Sequence, residues 1–138
     1  MSNFLLMFVV LVEFELMFPK SNALVESNIT FVTNAEMAYW TKINPMDDAE
    51  VAAGVCFMYD PGKPILINKK HWKRYDLTQK KVLIFHELVH CLLGYRHSEN
   101  PKSIMNPRIK SSYDRPWTDL KKLLKKEVDS ESLKRYPK

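Results

Sequence analysis

The sequence predicts a small α+β domain, and three observations lead there. Residues 55–59 and Ile65–Asn68 are short runs rich in strand formers, separated by the turn-forming Asp60-Pro61-Gly62-Lys63-Pro64. Directly after them, residues 77–93 read as one helix that is apolar nearly all round, as a central, buried helix must be. Finally, Trp117 and Thr118 introduce a helix with Leu120, Leu123, Leu124 and Val128 on one face and lysines elsewhere. At 138 residues, 46% hydrophobic and 27% charged, the chain can bury a core but leaves little for an extended cleft. Three glycines argue against long flexible linkers.

At the N-terminus, residues 4–12 are continuously apolar, and a mixed segment with Glu13 and Glu15 leads to Ser21-Asn22-Ala23. The apolar run is too short to span a bilayer but suits the core of a secretory signal with a small-x-small cleavage site after Ala23. The expectation is therefore a signal peptide over residues 1–23, one folded domain over 24–138, and a secreted or periplasmic protein. No Lys or Arg precedes the apolar run. That favours, as a second reading, a buried N-terminal helix or strand with both glutamates facing solvent. An uncleaved membrane-associated segment ranks third, because the two glutamates interrupt it.

Taken in order, Ile29–Val32 reads as a strand, residues 34–42 as a short helix capped by Asn34, and residues 44–48 as a break. Lys69, Lys70, Lys73 and Arg74 surround His71 and Trp72. This superficially resembles a nucleic-acid patch, but a solvated loop with a surface histidine is the simpler reading, and no nucleic-acid partner is expected. The formal charge of +5 does favour contact with anionic surfaces. Asp76 and Gln79 fit a capping box that starts the central helix at Leu77.

That helix carries His86-Glu87-Leu88-Val89-His90. Side chains four apart stack on one helical face, so His86 and His90 can offer two imidazole nitrogens to one metal ion. Glu87 lies about 100° round the helix, placed to hold a metal-bound water as general base. A catalytic zinc wants a third protein ligand. On an unbroken helix His97 would lie about 10 Å beyond His90. Gly94, able to take the left-handed conformation that ends helices, lets the chain reverse and return His97 to the metal. Glu99 and Glu127 are the competing third ligands. Glu99 sits in a loop with no turn to deliver it, and Glu127 falls in a lysine-rich helix that reads as solvent-facing.

With Met105 shortly after His97, these residues resemble the metzincin metallopeptidases, whose pattern is H-E-x-x-H-x-x-G-x-x-H followed by a methionine turn. The chain is also similar to small metallopeptidases of bacteria and their phages, in which a His-Cys pair and a Ser-Ile-Met turn recur around the same helix. It departs from the metzincin pattern by one extra residue between His90 and Gly94. The simplest account is a helix one residue longer before the same turn.

The resemblance implies a short mixed sheet packed on the active-site helix, with an antiparallel edge strand at residues 55–59 that pairs with extended substrate. It also implies Zn2+ held by His86, His90 and His97, with Glu87 as catalytic base, in a monomeric endopeptidase acting on a peptide or protein. Tyr95 and Tyr113 are candidates for stabilising the oxyanion by their chemistry alone. Hydrolysis of cell-wall peptide is an alternative within the same chemistry. A zinc-binding interaction module without turnover is the rival class, which the intact Glu87 argues against. In an exported chain Cys56 and Cys91, the two cysteines present, would form a disulfide.

Overall fold

The computed structural model describes residues 2–44 and 50–137. Most of the expected break at 44–48 lies outside the described residues. Helix α1 spans Asn3–Met17, opened by the Ser2 hydroxyl, which accepts the Leu5 N–H at 3.1 Å. Leu6, Val10 and Phe14 recur at helical spacing and are buried. The second reading of this segment placed Glu13 and Glu15 in solvent. Instead Glu13 accepts from the Trp117 indole at 2.8 Å and the Lys121 ammonium at 3.0 Å, and Glu15 accepts the Leu24 N–H at 3.1 Å.

A short turn and helix α2 (Ala23–Glu26) lead to strand β1 (Ile29–Val32), then helix α3 (Asn34–Thr41). The cap of α3 is Thr33, one residue earlier than expected. Its hydroxyl accepts the Glu36 N–H while the Glu36 carboxylate accepts the Thr33 N–H, a reciprocal pair that Asn34 could not form with this register. Strands β2 (Gly54–Cys56) and β3 (Ile65–Asn68) complete a three-stranded mixed sheet in the order β1-β3-β2. β1 runs parallel to β3 with Ile29 opposite Ile65, and β2 runs antiparallel to it with Gly54 opposite Ile67. β2 is thus an edge strand, shorter than the expected 55–59, because the Phe57 N–H bonds the Pro64 carbonyl at 2.9 Å and the hairpin turn begins there.

Alternation along the sheet divides the core. Ile65 and Ile67 face the main cluster, while Leu66 and Val55 pack against a smaller one with Val32, Met37, Ala38 and Val51. Residues 69–74, expected as loop, form helix α4 (Lys69–Arg74), because the Asn68 side chain caps it at the Lys70 N–H and Trp72 is buried against Phe31. His71 is not a free surface histidine either, since its Nε2 meets the Val51 carbonyl at 2.8 Å.

Helix α5 (Leu77–Leu88) opens on the Asp76/Gln79 capping box, both bonds at 2.8 Å. Among its residues Val82 to Leu88 are all buried. Phe85 packs edge-on to Phe14 of α1 at 5.2 Å and to Trp117 at 4.8 Å, where helix α6 (Trp117–Asp129) begins. Each such ring contributes roughly 1.5–3 kcal/mol through burial, so α5 is fixed between α1, α6 and the sheet. A disulfide joins Cys56 of β2 to Cys91 just beyond α5, with 5.8 Å between the Cα atoms. Among the described residues no helix is long and apolar enough to cross a membrane.

Candidate metal centre

The α-helical bonding of α5 stops at Leu88, and residues Val89–Leu93 form a π-helical turn instead of the expected α-helical extension. The extra residue that separates this sequence from the pattern it resembles is taken up in this wider turn. Gly94 closes it at φ 77°, left-handed as expected, and the chain reverses.

The reversal has two consequences. Tyr95 returns over the helix end, so that His90 Nδ1 donates to the Tyr95 carbonyl at 2.7 Å. His97 then reaches the same side as His86 and His90. It is held there through its neighbours, as the Ser98 N–H bonds the Met105 carbonyl at 2.9 Å and the Arg96 N–H the Lys134 carbonyl at 2.7 Å. His86 Nδ1 donates to the Ile104 carbonyl at 2.8 Å.

Each of these two carbonyls fixes a proton on Nδ1, which leaves Nε2 of His86 and His90 as a bare lone pair. Those two nitrogens stand 3.1 Å apart, and His97 Nε2 is 3.2 Å from that of His86. Two bare acceptors cannot hydrogen-bond each other. Two nitrogens about 2.05 Å from a tetrahedral cation would be about 3.3 Å apart. The three ligand atoms lie within 4.8 Å of one another. The donor set therefore fits a single metal ion, with His86 and His90 buried and His97 exposed on the open side. Burial holds His86 neutral down to about 3, aided by the neighbouring His90, and His90 down to about 4. Both are ready to bind a cation without first losing a proton.

Glu87 is 4% exposed, and its Oε2 is buried without a hydrogen-bond partner. Burial raises its pKa to about 8. Gly54 of β2 makes room for it, because a Cβ there would come within 3.2 Å of Glu87 Cγ and 2.9 Å of Leu83 Cδ1. A cleft of about 580 Å³ opens over these groups, lined by residues 52–60, the three histidines, Glu87 and Tyr136.

The remaining expectations divide. Met105 is fully buried, and its N–H bonds Ser103 Oγ at 3.0 Å. Glu99 is exposed and outside the cluster. Glu127 also stands outside it but is buried, not solvent-facing, because it accepts the Ser103 hydroxyl at 2.6 Å and so clamps α6 to the methionine turn. Neither Tyr95 nor Tyr113 lines the cleft. The Tyr95 hydroxyl is engaged by Arg135 at 2.7 Å and that of Tyr113 by the Lys110 N–H at 3.2 Å.

The tyrosine the sequence reading missed is Tyr136. Its N–H bonds the Gly94 carbonyl at 2.8 Å, its ring stands 5.7 Å from that of His90, and Tyr59 secures the tail beyond it by donating to the Pro137 carbonyl at 2.7 Å. No local pattern marks a tyrosine so far downstream.

Comparison with curated proteins and with solved structures returned no match. A family model does match, over residues 15–122, a span that holds the sheet, all three histidines, Glu87 and Met105. The chain belongs to the family described as "Putative phage metallopeptidase".

Proposed function

We propose that the protein is a zinc-dependent endopeptidase in which His86, His90 and His97 hold the metal and Glu87 is the general base. The observation that carries this reading is the convergence of three imidazole Nε2 atoms beside a buried carboxylate with an unpartnered oxygen. A site built only to hold metal has no use for such a carboxylate and closes all four positions with protein ligands. Here the three histidines and Glu87 all line the cleft, so a metal they held would be open to it.

Bound zinc would polarise the scissile carbonyl and acidify a water. Glu87 would take a proton from the attacking water and deliver it to the leaving amine. Its place beside the three histidines at the cleft suits both steps, because one carboxylate there could reach both the water and the leaving amine. Two tyrosines line the cleft; Tyr59 donates its hydroxyl proton to the Pro137 carbonyl, and Tyr136 would donate to the developing oxyanion.

The substrate would be an extended peptide. Among the described residues the outer edge of β2 has no strand paired to it, and it runs along the cleft beside the three histidines; such an edge binds main chain through its own donors and acceptors, with little sequence preference. The test is zinc content and hydrolysis of an unfolded protein by wild type and Glu87→Gln. The variant is expected to retain zinc and to lose activity about a hundredfold or more. Undiminished hydrolysis in the variant, or a metal-loaded wild type without hydrolytic activity, would refute the proposal.

A further inference from the structure

Helix α1 has two apolar faces, and the core covers one of them. On the outward face Phe4, Phe8, Val12 and Leu16 follow at intervals of four and so stack along one side, with Leu5 beside them. Phe4 is 84% exposed, Leu16 77%, Phe8 51% and Leu5 48%. Val25 of α2, which packs on α1, adds a further exposed apolar side chain. A contiguous apolar strip of this kind marks an interaction surface.

Of the two glutamates, only Glu15 falls among these residues on the helical wheel. Glu13 is turned to the flank, where Trp117, Lys121 and Lys81 engage it, and Glu15 is tied to the Leu24 N–H. The rim is basic. Lys20 is exposed just past α1, and Lys125 stands 5.2 Å over the Phe18 ring while also reaching Asp129. At the other end, Asn3 accepts from the Trp72 indole at 3.1 Å. Exposed Lys70 and Lys73 flank Trp72 there, and Lys80 lies over its ring. Glu26 at the end of α2 opposes these cations.

The helix's 15 residues extend about 22 Å, short of the roughly 30 Å hydrocarbon core, so α1 can lie in a membrane interface but cannot cross it.

We propose that α1 stays with the working protein and docks it on an anionic lipid bilayer. The Phe4-to-Leu16 strip would enter the acyl boundary while the lysine rim meets the headgroups. Charge selects this occupant, because a second copy seated on the same strip would bring two basic rims together, whereas anionic headgroups neutralise them. Cleavage after Ala23 is the competing fate of the same residues. It would take Leu6, Val10, Phe14 and Phe18 out of the core.

The test is sedimentation of the full chain with vesicles of phosphatidylcholine, alone or mixed with phosphatidylglycerol. Binding is expected to the mixed vesicles, at least about tenfold weaker to phosphatidylcholine alone, and reversed by salt. Phe8→Glu/Leu16→Glu is expected to weaken binding about tenfold or more while leaving metal content and helical signal unchanged. Failure of the wild type to bind mixed vesicles, or equal binding by the variant, would overturn the proposal. So would a dimer that the same substitutions dissolve, or a chain recovered from its native cells beginning at Leu24.

Discussion

Breaking the Cys56–Cys91 bridge tests how the cleft is held together. The two cysteines are separated by 35 positions in sequence, and closing a loop of that length in the unfolded chain corresponds to about 4 kcal/mol of stabilisation at room temperature. For a domain of this size that is a fall of about 10–15 °C in Tm. The consequence reaches the site, because Cys91 directly follows His90 and Cys56 lies on the strand whose Gly54 backs Glu87. Cys56→Ala/Cys91→Ala, and wild type under reductant, should therefore both melt early and bind metal more weakly, measured by circular dichroism and by competition with a chromophoric chelator. Non-reduced peptide mapping should show the linked pair in protein recovered from an oxidising compartment. A double variant that melts within about 2 °C of wild type, or one that melts early with undiminished metal affinity, would refute the coupling of this bridge to the metal centre.

Other outcomes follow from the same geometry. His97→Ala should reduce metal affinity strongly while Glu99→Ala leaves it unchanged; isothermal titration separates them, and the reverse order would remove His97 from the site. Tyr136→Phe should lower kcat about tenfold or more with KM and metal content unchanged, if its hydroxyl serves the oxyanion; steady-state kinetics on a peptide decides. The metal-free protein should be most stable near pH 6.5. His86 and His90 are held neutral in the fold to about 3 and 4, so the unfolded chain binds protons first and stability drains away below pH 6.5. Glu87 acts oppositely: its carboxyl is raised to about 8, so the fold keeps a proton that the unfolded chain has released, and stability falls as pH climbs from 4.5 through 8. Urea midpoints against pH should show both limbs, and Glu87→Gln should remove the alkaline one while steepening the acid one between about 4.5 and 6.5, where Glu87 opposes the histidines.

The parts of the fold legible in the sequence were those written locally. The Asp76/Gln79 box, the hairpin turn and the burial pattern of α5 each depend on residues within one or two turns of each other, where side-chain chemistry and spacing decide the outcome. Thr33 was legible too, since Glu36 three positions on completes its box, and the stronger side-chain preference of Asn34 obscured it. Glu127 and Tyr136 were not legible. Glu127 sits among lysines and reads as solvent-facing, yet the Ser103 hydroxyl sequesters it. Tyr136 is delivered by main-chain bonds between residues 94–96 and 134–136, which no side-chain pattern announces.

The extra residue between His90 and Gly94 shows why spacing alone misjudged the centre of the site. Had the α-helix run one residue longer, every later atom would have been turned by about 100° and advanced about 1.5 Å, and the reversal at Gly94 would have aimed His97 away from His86. A π turn holds one more residue between donor and acceptor, so it absorbs the insertion and leaves the exit of the helix facing the cleft. The Gly94 N–H accordingly reaches back to the Val89 and His90 carbonyls, and the Tyr95 carbonyl arrives at His90 Nδ1. Residue types do not encode which carbonyl an N–H will choose, because α and π bonding use the same backbone groups. What selects the wide turn here is tertiary: Cys91 is fixed to Cys56 on one side, and His90 and His97 are fixed by carbonyls and main-chain bonds on the other. The histidine spacing thus picked out the three side chains that converge, while the turn that lets them meet depends on contacts made by strands and a tail lying outside the motif.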